Sequence, residues 1–408
     1  MSLGVDRDVV IAGAGPAGVA AAVALAARIP AGRILCLDKA SFPRDKPCGG
    51  GLTGHAHAAL ARLGLELRVP RVPCGRGRLA YRGRARDVVL GRPVDVVRRC
   101  EFDADLVTQA RARGIEILTG EGLASFEVET RSDGGGGLVR IATTTGRRLT
   151  ARVLVGADGA GSRVRRALTS DDRPPLRLFQ AEVPTPPALA ELVDGRMIYD
   201  FSLMAGGLRG YLWLFPAPGG RLNVGAMHSA TTTHKLSGAA IEALLRKGLA
   251  AYGVELPDGA RGWPAWRHQA GGRVAAPHLL CVGDAAGIDA LTGEGIAVGL
   301  EHGPIAADAI ASALQTGDFR FAGYGAAIDA AVVGRELTLD GRLARLLYAP
   351  RTSKLWLSLI LFDRRVQQLY AARVSGSEVL ADRKRALLGA LLRHVVTAPV
   401  RLVRMQSA

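Results

Sequence analysis

Three glycines and one acid mark where chemistry could sit. Gly13, Gly15 and Gly18 stand in G-x-G-x-x-G spacing between the apolar run "DVVIA" and the alanine-rich "PAGVAAAVALAARI", with Pro16 and Ala17 completing the loop. Where a strand turns into a helix, free N–H groups and the helix dipole hold a pyrophosphate. Asp38 lies 20 residues beyond Gly18, at the end of the second apolar run "GRILCLD". A carboxylate there accepts both hydroxyls of an adenosine ribose and disfavours a 2′-phosphate. With strand, helix and acid all in place, a dinucleotide site outweighs an incidental glycine turn.

A second stretch, "DKPCGGGLTG", sets Cys48 against Gly49, Gly50 and Gly51. A glycine run lets backbone approach a ligand closely, and a thiol beside it is a proton donor or a small buried support. A third, "GYLWLFPAP", alternates Tyr211, Trp213 and Phe215 on one face of a strand. Read alone, those aromatics are ordinary core packing. His228, His268 and His302 have no spacing that marks a metal or a triad and read as solvated or satisfied. Asp284 and Glu294 could pair as carboxylates, but Glu294 sits in a glycine loop and reads better as a cap or an ordering group. The five cysteines are odd in number and lack paired metal spacing, so neither a disulfide framework nor a metal site is expected.

Elements must position these residues. The first forty residues read as a βαβ unit. "TRSDGGGGLVRIATTTGRRLTARVLVGADG" reads as a hairpin with a tip at Gly134–Gly137, then a strand returning to the nucleotide domain. From Pro174 to Pro264 the chain turns strand-rich around one helix, "LSGAAIEALLRKGLAAYG", as an interleaved α+β domain would. "PHLLCVGDAAGIDALTGEGIAVGL" returns to strand, glycine turn and helix. The expected division is residues 1–70, 95–173 and 270–315 for nucleotide, 71–94 and 174–269 for substrate, and 316–408 as a helical C-terminal region. The fold class is α/β, a Rossmann-like unit interleaved with an α+β one.

A net charge of +16 raises the question of nucleic acid, but the arginines are spread along the chain and no nucleic-acid module is present. No nucleic-acid partner is expected. The start of the chain lacks a secretory pattern, and "LWLSLILF" is too short for a bilayer span, so a cytoplasmic protein is expected. From Asp382 onward, basic and apolar residues mix at roughly helical spacing. That segment reads either as a peripheral contact with the inner membrane surface or as a helix covering the core.

Several separated motifs, spanning Asp8 to Leu314, resemble the FAD-dependent oxidoreductases with a para-hydroxybenzoate-hydroxylase-like fold, and within them the geranylgeranyl reductases. "GAGPAG" is similar to the ADP-binding loop, "VGADGAGSRVRR" to the second fingerprint with Asp158, and "VGDAAG" to the third, with Asp284 at the ribityl chain. "RRCEFD" resembles the pattern that makes Arg99 a cofactor contact. "KPCGGGL" resembles the reductases' Lys-Pro-Cys-Gly segment, and "YLWLFP" their Tyr-x-Trp-x-Phe-Pro motif on the prenyl tunnel. "LTGEGI" resembles their flavin-side loop, with Ala290 where the family has Pro. The resemblance implies FAD, held by the residues above together with Lys39, Leu123, Cys48 to Gly51, Gly293, Gly295 and Ile296.

It also implies an activity: hydride transfer from reduced flavin to carbon–carbon double bonds of an isoprenoid, a prenyl or other lipid substrate. Cys48, Tyr211 and Trp213 would serve catalysis, and Tyr211, Trp213 and Phe215 would line the substrate. NAD(P)H or another donor would reduce the flavin. Two rivals stay open. One is a flavin monooxygenase or halogenase acting on an aromatic natural product, although a halogenase should carry Trp-x-Trp-x-Ile-Pro. The other is a flavoprotein that binds without turnover.

Overall fold

The structure, a computed structural model, describes residues 5–129, 137–169, 175–230, 234–258 and 260–394. Two eight-stranded sheets organise them. The first is built on five parallel strands in the order Leu279–Cys281, Arg148–Gly156, Arg7–Ala12, Ile34–Asp38 and Glu116–Thr119. Its central strands are apolar almost without interruption because helices cover both faces. Arg7–Ala12 is buried from Asp8 onward, and Ile34–Asp38 throughout. The helix Pro16–Ala26 packs on the long helix Ile296–Thr316, so the first and last parts of this unit close on each other. The expected hairpin pairs Leu123–Glu129 with Leu138–Thr143. Of its expected tip, Gly134 to Gly136 lie outside the described residues.

The second sheet runs Arg261–Ala265, Leu176–Pro184, Arg221–Ser229, Gly210–Ala217, Arg196–Asp200, Arg71–Tyr81, Arg84–Val97 and Gly51–Leu52. It draws strands from both sides of the expected boundaries, since Arg84–Val97 runs past residue 94 and Gly51–Leu52 joins from the first unit. Side chains alternate across a strand. In Gly210–Ala217 that puts Leu212 and Leu214 against the helix Gly238–Ala250, in a core with Ile241, Leu245 and Leu249. Tyr211, Trp213 and Phe215 take the other face.

The C-terminal region is helical: Val332–Leu347, Ser353–Phe362, Arg364–Val374 and residues 384–394. Leu347, Tyr348, Leu357 and Leu361 close over the aromatic face. No described helix is long and apolar enough to cross a membrane.

Candidate active site

The glycine loop shows why its residues are glycines. Gly13 has φ +107°, and a Cβ there would collide with the Ala157 carbonyl; one on Gly18 would collide with the Gly13 carbonyl. Only glycine lets these three backbone segments meet. Gly15 precedes the helix with no side chain capping it, so the first N–H groups of the helix are open. Asp38 closes the loop from beneath. Its Oδ2 accepts from the Ala14 N–H at 2.9 Å and its Oδ1 from the Ala40 N–H at 3.0 Å. Its oxygens keep lone pairs for ribose hydroxyls.

Cations converge on the same place. A Cβ on Gly15 would stand 3.3 Å from Arg44 Nη2. Arg44 Nη1 lies 3.2 Å from Asp103 Oδ2, and Arg99 grips the same carboxylate with bonds of 2.7 and 2.8 Å. Lys46 Nζ is 2.9 Å from Asp284 Oδ2. Burial alone would raise the Asp284 pKa, but Lys46 and then Arg99 hold it below the ordinary carboxylate value. Asp158 accepts from the Arg163 N–H at 2.8 Å, its other oxygen is buried without a partner, and burial pushes its pKa up. Ala17 packs on Gly283 and Gly299, joining the glycine loop to the "VGDAAG" turn. Lys39 packs on Gly122, next to the buried Leu123. A second uncapped helix begins at Ile296 behind Gly295, whose Cβ position is 3.1 Å from Asp284 Oδ1. Open N–H groups at two helix starts, three arginine or lysine side chains and an acid at the ribose position suit an anionic dinucleotide; the residues fit FAD.

Cys48 to Gly51 lead from this cradle into the second sheet. A Cβ on Gly49 would lie 3.0 Å from Phe215 Cε2, and one on Gly50, at φ +73°, would collide with the Val97 carbonyl. Gly51 faces Met197 and Val94. The glycines therefore answer to the aromatic strand and to Arg84–Val97 as close protein neighbours, a requirement the sequence reading assigned to flavin alone. The Cys48 sulfur accepts from the Gly50 N–H at 3.5 Å and interacts with Arg99.

Asn223 joins the loop to the aromatic wall. The Trp213 Nε1–H donates to Asn223 Oδ1 at 2.8 Å, and Asn223 Nδ2 donates to the Cys48 carbonyl at 2.6 Å. The indole can only donate and the carbonyl only accept, so one amide orientation satisfies both. The Tyr211 hydroxyl donates to the Thr292 carbonyl of the "LTGEGI" loop, and the Tyr348 hydroxyl to the Leu291 carbonyl at 2.6 Å. Burial raises the pKa of both tyrosines well above its ordinary value. Tyr199 and Phe201 extend the ring stack, Tyr199 at 5.1 Å from Phe215.

Glu294 does not cap the helix that follows it; its Oε1 accepts from the Thr53 hydroxyl at 2.6 Å and so ties the "LTGEGI" loop to the Cys48 loop. The three histidines serve the frame. His228 and His302 accept backbone N–H groups of Arg209 and Gly283, and His268 meets Asp329 at 3.1 Å. Among the described residues no three His, Cys, Asp or Glu side chains gather closely enough for a metal ion. Arg44 and Asn223 went unmarked in the sequence, and Lys46 and Asp103 stood inside "KPCGGGL" and "RRCEFD" without a role of their own. Asn223 left a trace only as an amide inside the apolar strand "RLNVGAMHS".

Comparison with known proteins decides the family. The model of the FAD binding domain matches residues 6–321, more than half of the chain. The chain belongs to that family. It is an FAD-dependent oxidoreductase. It is 32% identical over 391 residues to the menaquinone reductase of Mycobacterium tuberculosis, covering 86% of each chain. It is 29% identical over 331 residues to the geranylgeranyl diphosphate reductase of Rhodobacter capsulatus, covering 76% of each. A geranylgeranyl bacteriochlorophyll reductase-like protein of Thermoplasma acidophilum shares the fold, at TM-score 0.71 and 18% identity over 93% of this chain and 98% of that one. These findings agree with the resemblance read from the motifs.

Proposed function

We propose that this protein saturates carbon–carbon double bonds of an isoprenoid chain, and that the chain lies along the wall formed by Tyr211, Trp213 and Phe215. The observation that carries this reading is the Trp213–Asn223–Cys48 bridge. It fixes an apolar aromatic wall to the Cys48 loop, whose Arg99 neighbour belongs to the cofactor cradle. The names of the similar proteins favour prenyl substrates, and menaquinone is a quinone bearing such a chain. A prenylated naphthoquinone is therefore the first substrate class to test.

Bound FAD, once reduced by NAD(P)H or another donor, would supply a hydride. Gly13 to Gly18, Arg44 and Arg99 would hold its pyrophosphate, and Asp38 its ribose. Lys46 and Asp284 would bind the ribityl chain and order it. Lys39 and Leu123 would border the adenosine, Asp158 the pyrophosphate loop, and Gly49 to Gly51 the edge of the ring. The N–H groups ahead of Ile296, reached through Gly293 and Gly295, would favour negative charge on the flavin. The aromatic wall orients the chain and excludes water; the helices from Val332 to Val374 seal it. Cys48 and the rings of Tyr211 and Trp213 would border the reacting carbons.

In domain terms, residues 1–70, 95–173 and 270–315 would carry FAD and residues 71–94 and 174–269 the substrate, with 316–408 closing the site. Leu388 and Leu392, 56% and 59% exposed beside Lys384, Arg385 and Arg393, suit peripheral contact of a cytoplasmic protein with an anionic membrane face. The test is a single turnover of photoreduced, FAD-loaded protein with a polyunsaturated prenyl substrate. Product chains that gain no hydrogen would overturn the reading.

A further inference from the structure

Saturating a double bond consumes a proton as well as a hydride, and the aromatic wall has few groups free to give one. The hydroxyls of Tyr211 and Tyr348 are committed to the carbonyls of Thr292 and Leu291. The Cys48 sulfur faces the Gly50 N–H and Arg99, on the cofactor side. Tyr370 differs. Its ring packs in the same aromatic core, yet its hydroxyl is buried with no hydrogen-bond partner.

Asp340, on the neighbouring helix, is fully buried, and its Oδ1 also has no partner. Its Oδ2 accepts from Arg373, whose guanidinium carbon stands 5.6 Å over the Tyr370 ring. One orphan is a donor and the other an acceptor or, protonated, a donor. Leaving each unsatisfied costs about 1–3 kcal/mol, so an unused pair is a poor use of two core positions. Both residues meet the Arg373 guanidinium, and the two interact electrostatically.

We propose that Asp340 and Tyr370 form the proton supply of the substrate pocket, with Asp340 as the acid and the Tyr370 hydroxyl as the group that hands the proton to the double bond. This rests on the reductase reading above. As the π bond breaks, one carbon takes the hydride and the other takes the Tyr370 proton, so two C–H bonds form. The O–H bond of Tyr370 is remade from Asp340 in the same event, which leaves no buried phenolate. The alkene is reduced and the reduced flavin is oxidised by the same two electrons.

Burial, aided by Asp289, Glu336 and Glu294 and opposed by Arg373, pushes the Asp340 pKa above the ordinary carboxylate value, the direction a proton-holding role needs. Burial likewise raises Tyr370, which suits a relay better than a free-standing acid. A cavity of about 30 Å³ lies beside Glu336 and Arg373, the partner of Asp340; its walls are mostly apolar, with His55, Asp289, Glu294 and Glu301 as the other polar side chains, and it has room for a water or two.

The test uses FAD-loaded, full-length protein with a polyunsaturated prenyl naphthoquinone as probe. In wild type, single-turnover saturation of the probe should show a solvent deuterium isotope effect. Tyr370→Phe should slow it about 10²-fold or more, the range of a lost general acid, while reoxidation of the reduced flavin by O2 stays as in wild type. Asp340→Asn should slow it similarly and also remove a protonated-carboxyl band from the infrared spectrum of the substrate-free protein. Wild-type saturation rates in Tyr370→Phe, or an unchanged carboxyl band in Asp340→Asn, would overturn the proposal while leaving the reductase reading intact. A wild-type protein that saturates no probe would overturn that reading and the proposal with it.

Discussion

Replacing Asn223 by Leu tests how the aromatic wall is tied to the Cys48 loop. The change keeps side-chain volume and removes both polar atoms of a group that is 4% exposed. It strands the Trp213 Nε1–H and the Cys48 carbonyl together. Each buried, unpaired group costs about 1–3 kcal/mol, so the loss should total roughly 2–6 kcal/mol, less whatever water recovers. Asn223→Asp separates the two halves, because its carboxylate still accepts from the indole but faces the Cys48 carbonyl with like charge. Denaturant unfolding of the FAD-loaded protein should show a lower midpoint at unchanged slope for Leu. Alkylation of Cys48 by a maleimide should quicken in both variants as the loop loosens. An Asn223→Leu protein within about 0.5 kcal/mol of wild type, with Cys48 no more reactive, would refute the bridge.

Other outcomes follow from single contacts. Gly13→Ala should abolish FAD retention, since its φ and the Ala157 carbonyl both forbid a Cβ; yellow protein at wild-type stoichiometry would contradict this. Asp38→Ala and Asp284→Ala should each weaken FAD binding measurably by equilibrium dialysis. His228 is held neutral by burial, with its pKa lowered from 6.5 to about 4. The unfolded state therefore takes up the proton first, stability is whole above pH 6.5 and falls toward pH 4, and His228→Asn should flatten that limb in thermal melts. Deleting the segment from Asp382 should reduce co-sedimentation with anionic liposomes at low salt, and equal partition would retire the membrane contact.

Much of the nucleotide end was legible because its signals are local. Glycine spacing, an apolar strand and the acid at Asp38 lie within forty residues, and the structure joins them through the Ala14 N–H. The two faces of Gly210–Ala217 were legible for the same reason, since alternation is a property of the strand itself. Gly49 to Gly51 were legible only as a demand for close approach. Glycine does not say what approaches, and Phe215, Val97 and Met197 come from distant sequence. The charged partners were hidden similarly. Arg44 looks like one more cation in an arginine-rich chain, and although Lys46 and Asp103 lie inside recognisable motifs, their partners Asp284 and Arg99 are set by the fold, as where the helix Arg99–Arg111 puts Asp103 one turn beyond Arg99. Nothing local in "DGRLARLLYAP" or "VQQLYAARV" shows that Asp340 and Tyr370 end up on adjacent helices over the pocket.

Saturation of the prenyl chain is decided by mass spectrometry of a prenyl naphthoquinone after one anaerobic turnover with reduced, FAD-loaded protein, followed by air oxidation. Air returns any quinol to quinone, so hydrogen that persists was added to the chain. The expected product is heavier by one H2 for each saturated bond, with fragments placing the gain in the prenyl tail. Full flavin reoxidation with a chain of unchanged mass would contradict it.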